Sequence, residues 1–328
     1  MKTDIMKGRI SLTVAIACGI MLQAFIITAS AQPENTPAQL SDTTASAGKT
    51  PSLSADTTDV NRNNLTPSPE TAAANGKGPV HSFYAGAGYG SNMVYLGTTM
   101  SQDHSFGYTS LSYGLNDKLY LSATGYTISG FSPFLAFYSL GLSFNHAFNS
   151  WFDISTGISR YGVAESLRDT LFSNFTYADA TLGFDWRILY SKISLGGLFS
   201  EGSQFYLQTR HSRYFETPSF ADDKAFFSFD PYVNILFGKM ISIETTDGTT
   251  TTVSPGYRPW RNSGSGSSAT YTESFGPMEI DFGLPIAFSY DFFTLEIEPG
   301  YVLPLYSETG ATGMKGFLFM ASAFFRIF

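Results

Sequence analysis

Charge is what this 328-residue chain has least of: Asp, Glu, Lys and Arg together make up 14 % of it, about half the share of an average soluble protein. So few charges do not make a solvated surface of the usual kind. Cysteine occurs once, as Cys18, which argues against a disulfide framework and a cysteine-based metal centre. Bases are outnumbered, 19 against 27 acids, which argues against nucleic acid as a partner. Beyond residue 31 no stretch approaches the roughly 18 uninterrupted apolar residues that a spanning helix needs. Before His81 there is a single aromatic residue, Phe25.

The rest of the 30 Phe, 19 Tyr and 3 Trp therefore lie between His81 and Phe328. That density is more than an ordinary globular core and surface absorb. A protein rich in aromatics, poor in charge and without a spanning helix needs another way to use apolar surface.

The N-terminus addresses the chain for export. Lys2, Lys7 and Arg9 precede an apolar stretch from Ile10 to Thr28, and Ala29-Ser30-Ala31 supplies the small residues of a cleavage site before Gln32. Residues 1–31 thus read as a signal peptide, and Cys18 leaves with it. Cleavage also removes Lys2, Lys7, Arg9 and Asp4, which takes the formal charge from −8 to −10. Residues 32–79 are dominated by Ser, Thr, Ala, Asn and Pro, with no aromatic. Such a segment buries too little to offset its chain entropy and reads as a disordered linker on the periplasmic side.

From His81 the hydrophobic period is two. In 278–290, Met278, Ile280, Phe282, Leu284, Ile286, Phe288 and Tyr290 share one face, and Glu279, Asp281, Gly283, Pro285 and Ala287 share the other. The segment 293–305 repeats the rule with Phe293, Leu295 and Ile297 against Thr294, Glu296 and Glu298. Alternation of this length marks β-strands, because successive side chains point to opposite faces. A turn at Tyr290-Asp291 would pair Phe288 with Phe293. In most strands the polar face is Ser, Thr, Gly, Asn or Asp, small enough to enclose an interior, while the large side chains share the other face.

Runs of about ten residues suit tilted strands crossing a bilayer better than the strands of a sandwich. Connections alternate between tight (Asn116-Asp117-Lys118, Asn149-Ser150) and long (164–172, 245–272), and Trp151, Trp186, Tyr290 and Phe292 flank the tight ones. We therefore expect an all-β fold: a transmembrane antiparallel up-and-down β-barrel over residues 80–328, with about 12 strands and 10 or 14 as alternatives. The expected strands are 82–95, 106–115, 119–128, 135–147, 151–163, 173–185, 190–199, 204–215, 224–237, 273–288, 292–306 and 315–328.

The last of these, from Lys315 through Phe319, Phe324 and Arg326 to Phe328, resembles the closing strand of Gram-negative bacterial outer-membrane β-barrel proteins, which end in an aromatic residue. The resemblance covers residues 81–328 and names no subfamily. It implies residence in the outer membrane, lipid and lipopolysaccharide as surroundings, and Phe328 as the signal read by the barrel-assembly machinery.

Parity assigns the inward charges. Glu279, Asp281, Glu296, Glu298, Asp230, Asp153, Asp179 and Asp185 face the lumen, and Arg326 shares their parity, which puts it near Thr294 and Glu296. Arg210 and Arg213 have opposite parity, so at most one joins them. The set reads as a solute-selecting constriction or as a buried network that closes the lumen. The expected function is accordingly a non-enzymatic narrow channel for passive passage of small solutes. The alternative is a closed barrel acting as structural or partner subunit of an envelope complex. A membrane-embedded hydrolase is a third reading. It has only His211-Ser212 to suggest it, and Arg213 stands where a His-x-Ser arrangement wants a hydroxyl. Gly86-Ala87-Gly88-Tyr89-Gly90 has Ser91 at the third glycine position of a dinucleotide loop and reads as small residues in a curving strand. No metal or cofactor is expected. The loop 245–272, with Tyr257, Arg258, Trp260 and Arg261, reads as a solvated loop, with an inward plug or a binding surface as its other readings.

Overall fold

Tight turns of the hairpin type set the meander. Between Leu115 and Lys118 the backbone closes with a 3.1 Å hydrogen bond, Lys118 N–H donating to Leu115 C=O. Asn116 and Asp117 take φ of 55° and 52°. Positive φ at both central positions is the turn whose twist matches paired strands, and Asn and Asp tolerate it better than other side chains.

The computed structural model describes residues 79–168, 170–200, 202–244, 250–253, 270–305 and 315–328; the signal peptide and the linker lie outside the described residues. Twelve strands form the barrel. They are β1 (His81–Gly90), β2 (Phe106–Leu115), β3 (Leu119–Ile128), β4 (Phe137–Asn149), β5 (Phe152–Val163), β6 (Phe175–Asp185) and β7 (Tyr190–Phe199). Then follow β8 (Ser203–Ser212, resuming at Phe215–Glu216), β9 (Ala225–Phe229 and Tyr232–Glu244), β10 (Thr270–Gly283 and Ile286–Tyr290), β11 (Phe293–Pro304) and β12 (Gly316–Arg326). Each pairs antiparallel with the next, and β12 closes on β1 from Tyr84↔Arg326 to Gly90↔Met320.

The interruptions in β9 and β10 lie side by side because each contains a proline, Pro231 and Pro285, which has no N–H for the ladder. Pairing resumes on both sides, at Phe229↔Ile286 and Tyr232↔Gly283. Twelve strands about 4.8 Å apart and tilted about 40° enclose a cylinder on the order of 24 Å across between backbones.

Several boundaries differ from the sequence expectation. β1 stops at Gly90 rather than 95, because the chain turns into the barrel there. β9 and β10 pair as far as Glu244↔Thr270, with no turn at Gly238-Lys239, and Thr250–Val253 adds a short strand to β9. The tight turn between β10 and β11 is Asp291-Phe292, so Tyr290 pairs with Phe293 and Phe288 with Leu295. That two-residue slip keeps every side chain on its face. Met278 is a true reversal: a register shift between Leu236/Phe237 makes it an extra residue in β10, and it is buried inside with Glu279 rather than facing out.

Candidate functional site: the barrel lumen and its wall

One end of the barrel carries the first residues of β1, the last of β12 and most of the tight turns; the other carries most of the longer connections. We call these the turn end and the loop end. The connection from β1 to β2 does not stay outside. After Gly90 it folds into the lumen as a hairpin, Val94–Tyr95 against Thr98–Thr99, with Leu96 and Gly97 at its tip at φ 49° and 80°. Asn92 ties its base: the amide Nδ2 donates to Asp103 (2.8 Å), and its Oδ1 accepts from Thr99 and Ser101 (2.7 Å each).

Tyr95, Leu96 and Met100 are 0 % exposed. Tyr95 meets Tyr161, Phe175 and Tyr177 at ring-centroid distances of 5.6, 6.0 and 5.8 Å. The same apolar cluster takes Tyr126 from β3, Phe137 from β4, Leu198 from β7, Tyr206 from β8, Met278 from β10 and Met320 from β12. Side chains from opposite walls therefore meet through the hairpin, and the loop-end half of the lumen holds a core of buried apolar side chains. Leu167, Leu171 and Phe172, from the connection between β5 and β6, seal its edge.

Toward the turn end the lumen is polar, and it is organised by tyrosines that reach across a neighbouring strand. A side chain on Gly283 would run into the ring of Tyr232. Because there is none, Tyr232 on β9 lies across β10 and donates its hydroxyl to Glu298 on β11 at 2.8 Å. Arg210 of β8 stacks on that ring, 3.8 Å from its centroid, and Asn234 donates to Asp281 at 2.9 Å. Tyr108 on β2 crosses Gly88 of β1 in the same way to donate to Ser322 on β12 (2.8 Å). That is the physical use of the Gly86–Gly90 motif. Across the lumen Tyr190 on β7 donates to both carboxylate oxygens of Asp153 on β5, at 2.9 and 2.8 Å.

The structure thus brings Glu279, Asp281, Glu296 and Glu298 together on β10 and β11, all at most 4 % exposed. Asp230 is half-buried near them on β9, with its N–H on the Pro285 carbonyl at 3.2 Å. Asp153, Asp179 and Asp185 are half-buried on the opposite wall. Thr181 donates to Asp179 at 3.5 Å, and Asp185 accepts the backbone N–H of Arg187 at 2.8 Å.

Arg326 does not join the acids. Glu296 is paired with Ser322 and Thr294 with Phe324, so Arg326 falls past the end of β11, its N–H on the Phe292 carbonyl. It is exposed at the rim and acts on Asp117. Burial raises the Asp117 carboxyl above its ordinary range and the Arg326 charge lowers it in part. Arg210, 5 % exposed, is a buried cation beside the network, and Lys192, its pairing partner on β7, shares its inward face. Parity alone admitted either Arg210 or Arg213; the decisive signal was the tyrosine two positions along β9 from Asn234, the pairing partner of Arg210, which no single strand displays. His211 and Ser212 face opposite ways. Ser212 is buried inside, whereas His211 Nδ1 bonds to Ser191 Oγ on the outer wall at 2.9 Å. Tyr257, Arg258, Trp260 and Arg261 lie outside the described residues.

The outer wall is apolar and large: Leu140, Leu142, Ile158, Leu195, Phe282, Leu295 and Ile297 are all exposed. Aromatic rings line the turn end: over β4 to β6 they run from Phe148 to Phe152 (5.3 Å), on to Phe184 (5.4 Å) and from there to Trp186 (5.9 Å). On another sector of the same end Phe293 and Phe325 pair at 4.9 Å, and Phe83 and Phe328 at 5.8 Å. A belt of this kind bounds the apolar band of a membrane-spanning barrel.

The fold is that of an outer-membrane β-barrel.

Solved structures resemble it in architecture. LpxR from Salmonella typhimurium superposes with a TM-score of 0.42 and 11 % identity, over 74 % of this chain and 99 % of its own. A bacterial polysaccharide outer membrane secretin gives 0.38 and 9 %, over 75 % and 98 %. The β domain of the Bordetella autotransporter BrkA gives 0.30 and 11 %, over 75 % and 98 %. These likenesses are of the barrel and extend to no activity. No family model and no curated protein matches the sequence.

Proposed function

We propose that this barrel resides in the outer membrane as a closed, non-enzymatic structural or partner subunit of the envelope. It is exported by the signal peptide 1–31, assembled through Phe328 and joined to periplasmic neighbours by the linker 32–79. The observation that carries the closed reading is the hairpin 91–103 inside the lumen, whose tip is part of an apolar core reaching from wall to wall. Water and ions have no favourable path through a core of packed apolar side chains. The acids support the same reading. Glu298, Asp281 and Asp153 accept from Tyr232, Asn234 and Tyr190 of the wall itself, so these carboxylates knit strands together.

The full chain in planar bilayers tests this. A folded, inserted barrel that stays electrically silent is the expected result. Steady single-channel steps whose cation preference falls in Glu279→Gln/Asp281→Gln would instead establish the passive pore.

A further inference from the structure

At the turn end the chain converges positive charge on one sector of the outer wall, between β6 and β8. The turn after β6 closes with Trp186 N–H on the Leu189 carbonyl at 2.9 Å, and Arg187 sits at its corner with φ of 68°. Arg213, at the end of the first segment of β8, reaches across and donates from Nη1 to the Arg187 carbonyl. Its guanidinium lies 5.6 Å from the Phe215 ring centroid. Both arginines are exposed, and neither side chain meets a carboxylate among the described residues. The acids nearest in sequence are engaged elsewhere: Asp185 with the Arg187 N–H and Glu216 with the Tyr214 hydroxyl.

Arg213, with its guanidinium at the Arg187 backbone, and the exposed Arg187 on the same turn can offer two cations to one anion, and an arginine fork suits phosphate oxygens. What surrounds them is apolar. Trp186, Ile188 and Phe215 are 59 %, 79 % and 50 % exposed and anchor the sector at a lipid surface.

A neutral polar ledge lies deeper on the same face. The Trp186 indole N–H is a donor only, and it donates to Ser191 Oγ at 3.2 Å. His211 Nδ1 lies 2.9 Å from the same Ser191 Oγ; in the tautomer in which the serine donates to Nδ1, the imidazole proton is on Nε2, and it is this tautomer that can donate to a group outside the protein. His211 is two residues above Arg213, about 5 Å further along the membrane normal at the usual strand rise and tilt. That order, cations first and a single donor deeper in, follows the order of phosphate and acyl ester in a glycerophospholipid.

We propose that Arg187, Arg213 and His211 form a binding site for one glycerophospholipid of the leaflet at the turn end, with the arginines on its phosphate and His211 on an ester carbonyl. The site rests on the outer-membrane reading for its depth.

The test uses the full chain, purified in a zwitterionic detergent, incubated with short-chain phosphatidylglycerol and examined by native mass spectrometry. Wild type retains one lipid. Arg187→Gln/Arg213→Gln binds it at least about tenfold more weakly, as loss of a charge-assisted hydrogen bond implies, while Arg160→Gln at the loop end leaves binding unchanged. His211→Ala weakens an ester lipid but not its ether-linked analogue. Equal retention by wild type and the double variant overturns the site, and so does full displacement by an equal concentration of inorganic phosphate. Heat-modifiable migration on gels checks that each variant is folded, and Arg213→Gln alone serves if the double variant is not. A chain that fails to insert into liposomes at all sinks the membrane reading itself, a separate outcome.

Discussion

Replacing Arg210 by Met separates a structural charge network from a decorative one. Methionine keeps the length and apolar stem of the side chain while removing its charge. In the folded barrel Arg210 is 5 % exposed and lies 3.8 Å from the Tyr232 ring centroid. The hydroxyl of that tyrosine holds Glu298, and the neighbouring Asn234 holds Asp281. Removing the cation leaves buried carboxylates with less to offset their desolvation, a loss on the order of the 3–5 kcal/mol that uncompensated buried charge costs. The stacking on Tyr232, about 2 kcal/mol when desolvated, is contained in that figure. Arg326→Met, at the exposed rim, costs about 0–1 kcal/mol. Urea unfolding in detergent micelles, followed by heat-modifiable migration, measures both. Glu298→Gln in the Arg210→Met background should restore part of the loss, since neutralising an acid relieves the same imbalance and contacting residues do not add. The reasoning is refuted if Arg210→Met and Arg326→Met lose equal stability, or if the double variant is no better than Arg210→Met alone.

Two further outcomes follow from packing and from the rim. Leu96→Ala, at the fully buried hairpin tip, should cost about 2–5 kcal/mol through the cavity it leaves; the same change at lipid-facing Leu195, 64 % exposed in the absence of lipid, should cost far less in the same urea titration. Asp117 has its carboxyl raised mainly by burial, so the folded state prefers the protonated acid. Asp117→Asn should therefore equal wild type below the ordinary aspartate range and exceed it in stability as pH rises past the raised value, as parallel unfolding curves at pH 3 and 7 would show.

Much of the fold was legible because its signal is local. Alternation with period two declares a strand and assigns each side chain to a face without reference to any other part of the chain. That is why Leu140 and Ser139, or Phe282 and Asp281, fall on the expected sides, and why twelve strands are readable from turns and run lengths. The inward acids were legible for the same reason. Met278 was not, because a bulge is a property of two strands in register, and neither strand alone announces it.

The sequence by itself determined a barrel with an apolar exterior, an acid-bearing interior and both strand termini at one end. Tertiary structure alone decided which cation serves the acids and whether the lumen is filled. Arg326 has the right parity but lies beyond the end of its partner strand, a matter of stagger between strands; Arg210 reaches the network only because Gly283 lets Tyr232 cross to Glu298. The hairpin 91–103 carries no mark of an inward loop in its own residues. It is held there by Tyr161, Phe175 and Leu198, some 60 to 100 positions away in the chain, and such packing exists only after the wall has closed.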